Sequence, residues 1–274
     1  MLSKLIKYEW KALFKPNLII FITLLSTTLI ASLVLIISAS TDTYSSFAIL
    51  PILFFYYLLL IAVPVASLII FAMRFYKSCY GNEGYLTNTL PVNSSKIVFS
   101  KLLTGFIYSF SMTILVILSL ATVITSFLAF SKNLPMDEIL FNMSTLPSFK
   151  EITNISIPLF LFIMILSLII SSFASISMVI GSISFGNLWQ KHKILGSIVS
   201  YVGIYFVMQF LSFIFVFPAT TKLSLAMMDN SDPFLFMHGY TKLLLIFVPS
   251  VSLFVTIALS IISVFLLKKK INLD

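Results

Sequence analysis

Few residues in this chain could carry chemistry, and their spacing does not assemble a catalytic site. The two histidines, His192 and His238, fall on opposite sides of the apolar runs described below, so they cannot share a metal ion. No ionisable side chain lies near the middle of any apolar run, whereas ion-coupled transporters and intramembrane enzymes need such groups. The G-x-x-x-x-G-K phosphate loop that binds ATP is also missing. We therefore expect no enzyme activity, no metal and no cofactor on this chain.

The composition predicts an integral membrane protein. Of the 274 residues, 59% are hydrophobic and 9% are charged, whereas soluble domains carry about 25% charged residues. The net charge of +8 would suggest a nucleic-acid partner for a soluble protein, but in a membrane protein we expect none. Six apolar runs of about 20 residues predict six transmembrane helices in one all-α domain, residues 1–274. These runs are 18–38, 49–73, 102–130, 156–186, 194–217 and 243–267.

The distribution of basic residues predicts that both termini lie in the cytoplasm. With the N-terminus inside, most of the 17 basic residues fall on the inner side. Basic residues concentrate in short cytoplasmic loops, so this bias predicts the orientation. Residues 74–101 then form a cytoplasmic loop, and residues 131–155 and 218–242 form extracellular loops. The basic residues on the outer side are Lys132, Lys150, Lys222 and Lys242.

Residues 1–17 predict an amphipathic helix that lies along the membrane surface. At 100° per residue the lysines share one face and Trp10 lies on the opposite, apolar face. We expect Pro16 to break this helix before the first span. The lysines are Lys4, Lys7, Lys11 and Lys15.

Glu9 interrupts the apolar face of this predicted helix. A carboxylate in that position needs a partner or must reach water. We expect it either to pair with a cytoplasmic base such as Arg74 or Lys77, or to point at solvent between helices.

Small and polar residues interrupt the fourth and fifth predicted spans. Ser167, Ser171 and Ser175 recur at helical spacing in the fourth span, and Gln209 lies deep in the fifth. Such residues either let helices pack closely or line part of a path for an amphipathic substrate. The short loop Trp189–Lys193 is interpreted as a basic anchor at the lipid headgroups, with a second contact to a partner protein as the alternative.

The segment after the second span resembles the permeases of ABC-2-type transporters. The pattern runs from Glu83 through Gly84-Tyr85-Leu86 to Thr89-Leu90-Pro91, and Lys101 follows at the entry to the next span. The opening Lys7-Tyr8-Glu9-Trp10-Lys11 resembles the start of many of these permeases, and six spans with both ends inside match their topology.

The resemblance implies a type V ABC exporter-like fold and a transport subunit that is not itself an enzyme. It implies two separate ABC ATPase subunits that hold ATP and Mg, a second permease chain that is identical or homologous, and the plasma membrane of a bacterium. In this family the loop after the second span couples to the ATPase, and short re-entrant helices precede the last span, for which residues 218–240 are suitable. The coupling residues carried over are Glu83, Gly84, Tyr85, Leu86, Thr87, Thr89, Leu90 and Pro91.

The function expected from these observations is export of an amphipathic substrate, such as a peptide, an antimicrobial compound or a lipid. One alternative is a non-transporting membrane scaffold or sensor, since a helical bundle with a docking loop serves either role. A secondary transporter is a weaker alternative because the spans lack ionisable groups.

Overall fold

The computed structural model describes residues 2–40, 46–81, 83–84, 93–130, 150, 153–189, 191–229 and 235–269. Over these residues the chain is helical and contains no strand. Six helices are long and apolar enough to cross a membrane, which confirms the prediction of an all-helical chain with six segments able to span one. They are α1 (Leu2–Ser40), α2 (Ser46–Cys79), α3 (Ser94–Phe130), α4 (Ile157–Gly186), α5 (Lys193–Asp229) and α6 (Leu235–Lys269).

Helix α1 continues through Pro16, so the break predicted there is wrong. A proline inside a helix removes a backbone hydrogen bond at a cost of roughly 3 kcal/mol, but membrane helices tolerate it where polar neighbours bond the freed backbone groups. The buried amide of Asn17, next to the proline, donates to the Leu13 carbonyl at 2.9 Å and accepts from Ser67 at 2.8 Å. Asn17 therefore reinforces α1 beside Pro16 and joins it to α2.

The last predicted outer loop is largely helical. Helix α5 continues through Pro218 to Asp229, and α6 begins at Leu235. Most of residues 218–242 is therefore helical, and the expectation of a separate short helix there is wrong. Helix α2 extends to Cys79 and α3 begins at Ser94, which leaves residues 80–93 between them. This segment is here called the coupling loop, after the role that the resemblance implies.

The chain forms two compact units. Unit A comprises Ser3–Arg74 and Thr104–Leu146, and unit B comprises Met1–Leu2, Phe75–Leu103 and Pro147–Asp274. The core of unit A is built from α1, α2 and α3. Its buried residues are Leu24, Ala31, Tyr56, Leu60, Val63 and Met112.

Helix α4 packs against both α5 and α6 in unit B. Two glycines allow these close approaches. A Cβ at Gly181 would lie 3.0 Å from Leu259 of α6, and a Cβ at Gly186 would overlap the side chain and backbone nitrogen of Ser197 in α5. Small residues at such positions let helix backbones approach closely within a membrane. The position of α4 relative to its neighbours therefore depends on residues without side chains.

Candidate functional site

The coupling loop is the strongest candidate for a functional segment, and the structure describes its two ends. Glu83 is exposed, whereas Gly84 is buried and its backbone N–H donates to the Gly81 carbonyl at 2.7 Å. The rest of the predicted set lies outside the described residues: Tyr85, Leu86, Thr87, Thr89, Leu90 and Pro91.

Tyr80, the first residue of the coupling loop, is hydrogen-bonded to α4. It follows directly after α2, and its side chain is 1% exposed. The hydroxyl donates to Ser184 Oγ at 3.1 Å, and Ser184 in turn donates to the Ile180 carbonyl at 2.8 Å. The Tyr80 ring meets Phe75 edge-on at 6.2 Å. Burial raises the pKa of Tyr80, and the hydrogen bond with Ser184 opposes this only in part, so the phenol stays protonated and remains a donor.

Lys101 lies in α3, about two turns after the coupling loop ends. Its side chain is 3% exposed, and Nζ donates to Ser78 Oγ at 2.5 Å. The same Nζ lies 6.0 Å from the centroid of the Phe75 ring, within the range of a cation–π contact. Hydrogen bonds from a charged donor are about twice as strong as neutral ones. Lys101 therefore joins the N-terminal part of α3 to the end of α2.

These contacts join the residues on either side of the coupling loop to each other and to α4 within unit B. Phe75 takes part in both sets of contacts, since its ring lies against both Tyr80 and Lys101. The hydroxyl chain from Tyr80 through Ser184 ends on the backbone of α4. Tyr80, the first residue of the coupling loop, is therefore linked to the backbone of α4 through side-chain hydrogen bonds.

Asn187, three residues after Ser184, has a buried side-chain amide without a hydrogen-bond partner among the described residues. It follows the last residue of α4, and its backbone N–H donates to the Ile183 carbonyl at 3.0 Å. The side chain is 2% exposed, and neither of its polar atoms has a hydrogen-bond partner among the described residues. A buried amide left in this way costs free energy.

The structure pairs Glu9 with Arg74 in unit A. Glu9 Oε2 lies 3.6 Å from Arg74 Nε, and the side chains are 14% and 31% exposed. Lys77, the other predicted partner, is exposed. Each of the two paired side chains also has a further interaction. The pair joins the N-terminal part of α1 to α2, just before the coupling loop.

The N-terminal part of α1 has the two faces that its sequence predicts. Trp10 packs against the ring of Tyr108 with 5.0 Å between centroids, and the Tyr108 hydroxyl donates to the Trp10 carbonyl at 2.9 Å. Leu13 is fully buried on the same side. The predicted lysines are all exposed: Lys4, Lys7, Lys11 and Lys15.

The structure does not bring the predicted path residues together. Ser167, Ser171 and Ser175 each donate to a carbonyl of their own helix α4. Ser171 is exposed, and so is Gln209 on α5. The hydroxyls that α4 does bury are those of Ser172, Ser177, Ser182 and Ser184.

Sequence reasoning missed the hydrogen bonds that join side chains of different helices. In unit A these are the Asn17–Ser67 bond and a 2.6 Å bond between the hydroxyls of Tyr56 and Ser119. Asn17 carried a detectable signal, because an amide beside a proline at the start of an apolar run needs a partner. The partners themselves lie far along the chain, so no local pattern marked them.

Comparison of the whole chain with known protein families, with characterised proteins and with solved structures found no match in any of the three.

Proposed function

We propose that this chain is the membrane subunit of an ATP-driven exporter of the ABC-2 type. The observation that carries the proposal is the set of contacts at the base of the coupling loop, where Tyr80 joins the start of the loop to α4 and Lys101 joins α3 to the end of α2. A segment that receives force from another protein needs such a base. The six membrane-spanning helices and the residue pattern from Glu83 to Pro91 support the same function.

In this proposal the chain converts motion rather than performing chemistry. Two ATPase subunits bind ATP and Mg and dock against the coupling loops of two permease chains, identical or homologous. The movement of each loop passes through Tyr80 and Ser184 to α4, and α4 packs against α5 and α6. Repacking of these helices changes which side of a central path is open, for a substrate such as an amphipathic peptide, an antimicrobial compound or a lipid.

The proposal requires the coupling loop to lie on the cytoplasmic side of a bacterial plasma membrane. The positive-inside rule supports this orientation. It can be tested by maleimide labelling of whole cells, because Cys79 is the single cysteine and is fully buried. An impermeant maleimide should label Lys132→Cys from outside and should spare Lys11→Cys. Labelling of Lys11→Cys alone would contradict the proposed orientation.

The function is tested by purifying the tagged chain in mild detergent from its native cells and assaying the eluate for ATPase activity. The loop variant carries Tyr85→Ala and Leu90→Asp. The matched control carries the same two changes in predicted outer segments, Tyr44→Ala and Leu134→Asp. We expect ATPase activity to accompany the native chain and the control but not the loop variant.

Two results would count against the proposal. If no ATPase co-purifies with the native chain, a scaffold or sensor role becomes the better explanation. If the loop variant and the control retain the same ATPase activity, an ATPase partner exists but docks elsewhere on the chain.

A further inference from the structure

An open groove runs along α5 in unit B. It has a volume of about 520 Å³ and lies between α5, α6 and the residues around the end of α4. Trp189 lines it next to the short loop that leads into α5, and Leu211 is the lining residue farthest along α5. Apart from Ser200 and the indole of Trp189, its walls are apolar side chains.

Gly203 lines the groove without a side chain of its own. A Cβ placed at Gly203 would meet nothing within 4 Å. The walls on either side are exposed rather than covered by protein, with Trp189 49% and Phe254 66% exposed. In a membrane the exposed part of the groove is therefore open to an apolar molecule.

The length of the groove matches one leaflet of the bilayer. Eleven residues separate Ser200 from Leu211, which is about 16 Å at 1.5 Å per residue. That is about half of a hydrocarbon core of roughly 30 Å. Tryptophan is enriched where the hydrocarbon meets the headgroups. The end of the groove that Trp189 lines is therefore expected at headgroup level. A single acyl chain entering from that leaflet has the required length.

The basic residues next to Trp189 favour an anionic lipid headgroup. Lys191 and His192 follow Trp189 and are exposed, and residues 187–193 contain no acidic side chain. Basic sites between membrane helices at this level bind anionic lipid headgroups. The Trp189 ring is held over Gly196, where a Cβ would lie 2.8 Å from it, so the loop is anchored to the first turns of α5.

We propose that this groove is a binding site for an anionic phospholipid. One acyl chain lies along Gly203 between α5 and α6, and the phosphate lies against Lys191 and His192. The proposal concerns this chain and its membrane alone, so it stands or falls independently of transport.

The acyl-chain part of the proposal is tested by filling the groove. Gly203→Phe places a ring in open space, whereas Val202→Phe adds a ring to the neighbouring exposed position, which does not line the groove. The purified full chain is mixed with phosphatidylglycerol, and bound lipid is counted by native mass spectrometry. We expect Gly203→Phe to lose one bound lipid that the native chain and Val202→Phe retain. Equal retention by all three would overturn the site. A loss of dimer mass without a loss of lipid would also overturn it, because the groove would then hold a second copy of the chain.

The headgroup part is tested by comparing phosphatidylglycerol with phosphatidylcholine. Removing one basic residue near a lipid headgroup should reduce the preference for the anionic lipid about fivefold. We expect this for Lys191→Gln and not for Lys222→Gln, which removes the same charge from the other end of α5. An unchanged preference in Lys191→Gln would overturn the assignment of the headgroup.

Fluorescence locates the lipid directly, since the chain has 2 tryptophans. In a Trp10→Phe background only Trp189 emits. Vesicles doped with acyl-brominated phosphatidylglycerol should quench this emission more strongly than vesicles with the same fraction of brominated phosphatidylcholine, and Gly203→Phe should remove the difference. Equal quenching by the two lipids in the native groove would show ordinary annular contact and would overturn the proposal.

Discussion

Replacing Ser184 by alanine should destabilise the protein more than removing the hydroxyl of Tyr80, although both changes break the same hydrogen bond. Tyr80 donates to Ser184 at 3.1 Å, and Ser184 donates to the Ile180 carbonyl at 2.8 Å. In Ser184→Ala the Tyr80 hydroxyl loses its acceptor while its side chain stays buried. In Tyr80→Phe the Ser184 hydroxyl keeps its bond to the backbone, and the ring keeps its contact with Phe75.

The magnitudes follow from the cost of a buried donor without a partner. Such a donor costs about 1–3 kcal/mol, whereas the net value of a typical hydrogen bond is about 0.5–1.5 kcal/mol. We expect Ser184→Ala to lower the free energy of unfolding by about 2 kcal/mol and Tyr80→Phe by about 1 kcal/mol. The double variant has no unsatisfied donor, so it should be more stable than Ser184→Ala alone.

The assay is equilibrium unfolding of the purified full chain in mixed detergent and SDS micelles, followed by circular dichroism. Ser26→Ala provides a matched control, because this exposed hydroxyl bonds only a carbonyl of its own helix, that of Thr23. The control should change the free energy of unfolding by no more than about 0.5 kcal/mol.

Two outcomes would refute the reasoning. If the double variant loses the sum of the two single losses, the hydroxyls of Tyr80 and Ser184 are not coupled. If Tyr80→Phe is as destabilising as Ser184→Ala, the buried donor is not the source of the cost.

Three further predictions concern other parts of the chain. Gly186→Ala should lower the free energy of unfolding in SDS titration by about 2 kcal/mol, because the added methyl overlaps α5. The control Gly203→Ala should be neutral or stabilising, because its methyl meets no neighbour. Equal losses in the two variants would contradict the packing of α4 on α5. Glu9→Arg and Arg74→Glu should each lower the free energy of unfolding in detergent by about 1–3 kcal/mol. The double exchange should restore most of this loss. An absence of rescue would show that the 3.6 Å pair does not contribute to stability. Burial raises the pKa of Tyr80 above its ordinary value of 10.0, so the unfolded chain loses this proton first as the pH rises. The native chain should then lose up to about 1.4 kcal/mol of stability per pH unit above pH 10.0, and Tyr80→Phe should lose less; parallel pH profiles would refute this.

The helices of the protein follow from local sequence, and their ends do not. Apolar runs of about 20 residues are sufficient to predict six membrane-spanning helices, and the structure contains six helices that are long and apolar enough to span a membrane. Proline was a poor guide to where they stop, since α1 continues through Pro16 and α5 through Pro218. A proline ends a helix in water, but within a membrane the cost of unpaired backbone groups favours continuing the helix when a neighbour such as Asn17 can bond to it.

The pairing of Glu9 with Arg74 shows how far pattern alone can reach. A carboxylate on an apolar face needs a partner, so the sequence restricts the choice to the nearby bases Arg74 and Lys77, or to solvent. Only the packing of α1 against α2 selects Arg74. The serines of α4 show the limit, because helical spacing marked Ser167, Ser171 and Ser175, while Ser184 makes the contact that reaches Tyr80.

By itself the sequence determined that the chain is helical, able to span a membrane six times and markedly more basic on one side of the predicted spans. These properties depend on hydrophobicity, length and charge, which are summed along the chain. The tertiary structure alone decided which buried polar groups meet, as Tyr80 meets Ser184, and which residues line the groove beside Gly203. Such features depend on the distance between residues far apart in the sequence, and that distance exists only after the helices have packed.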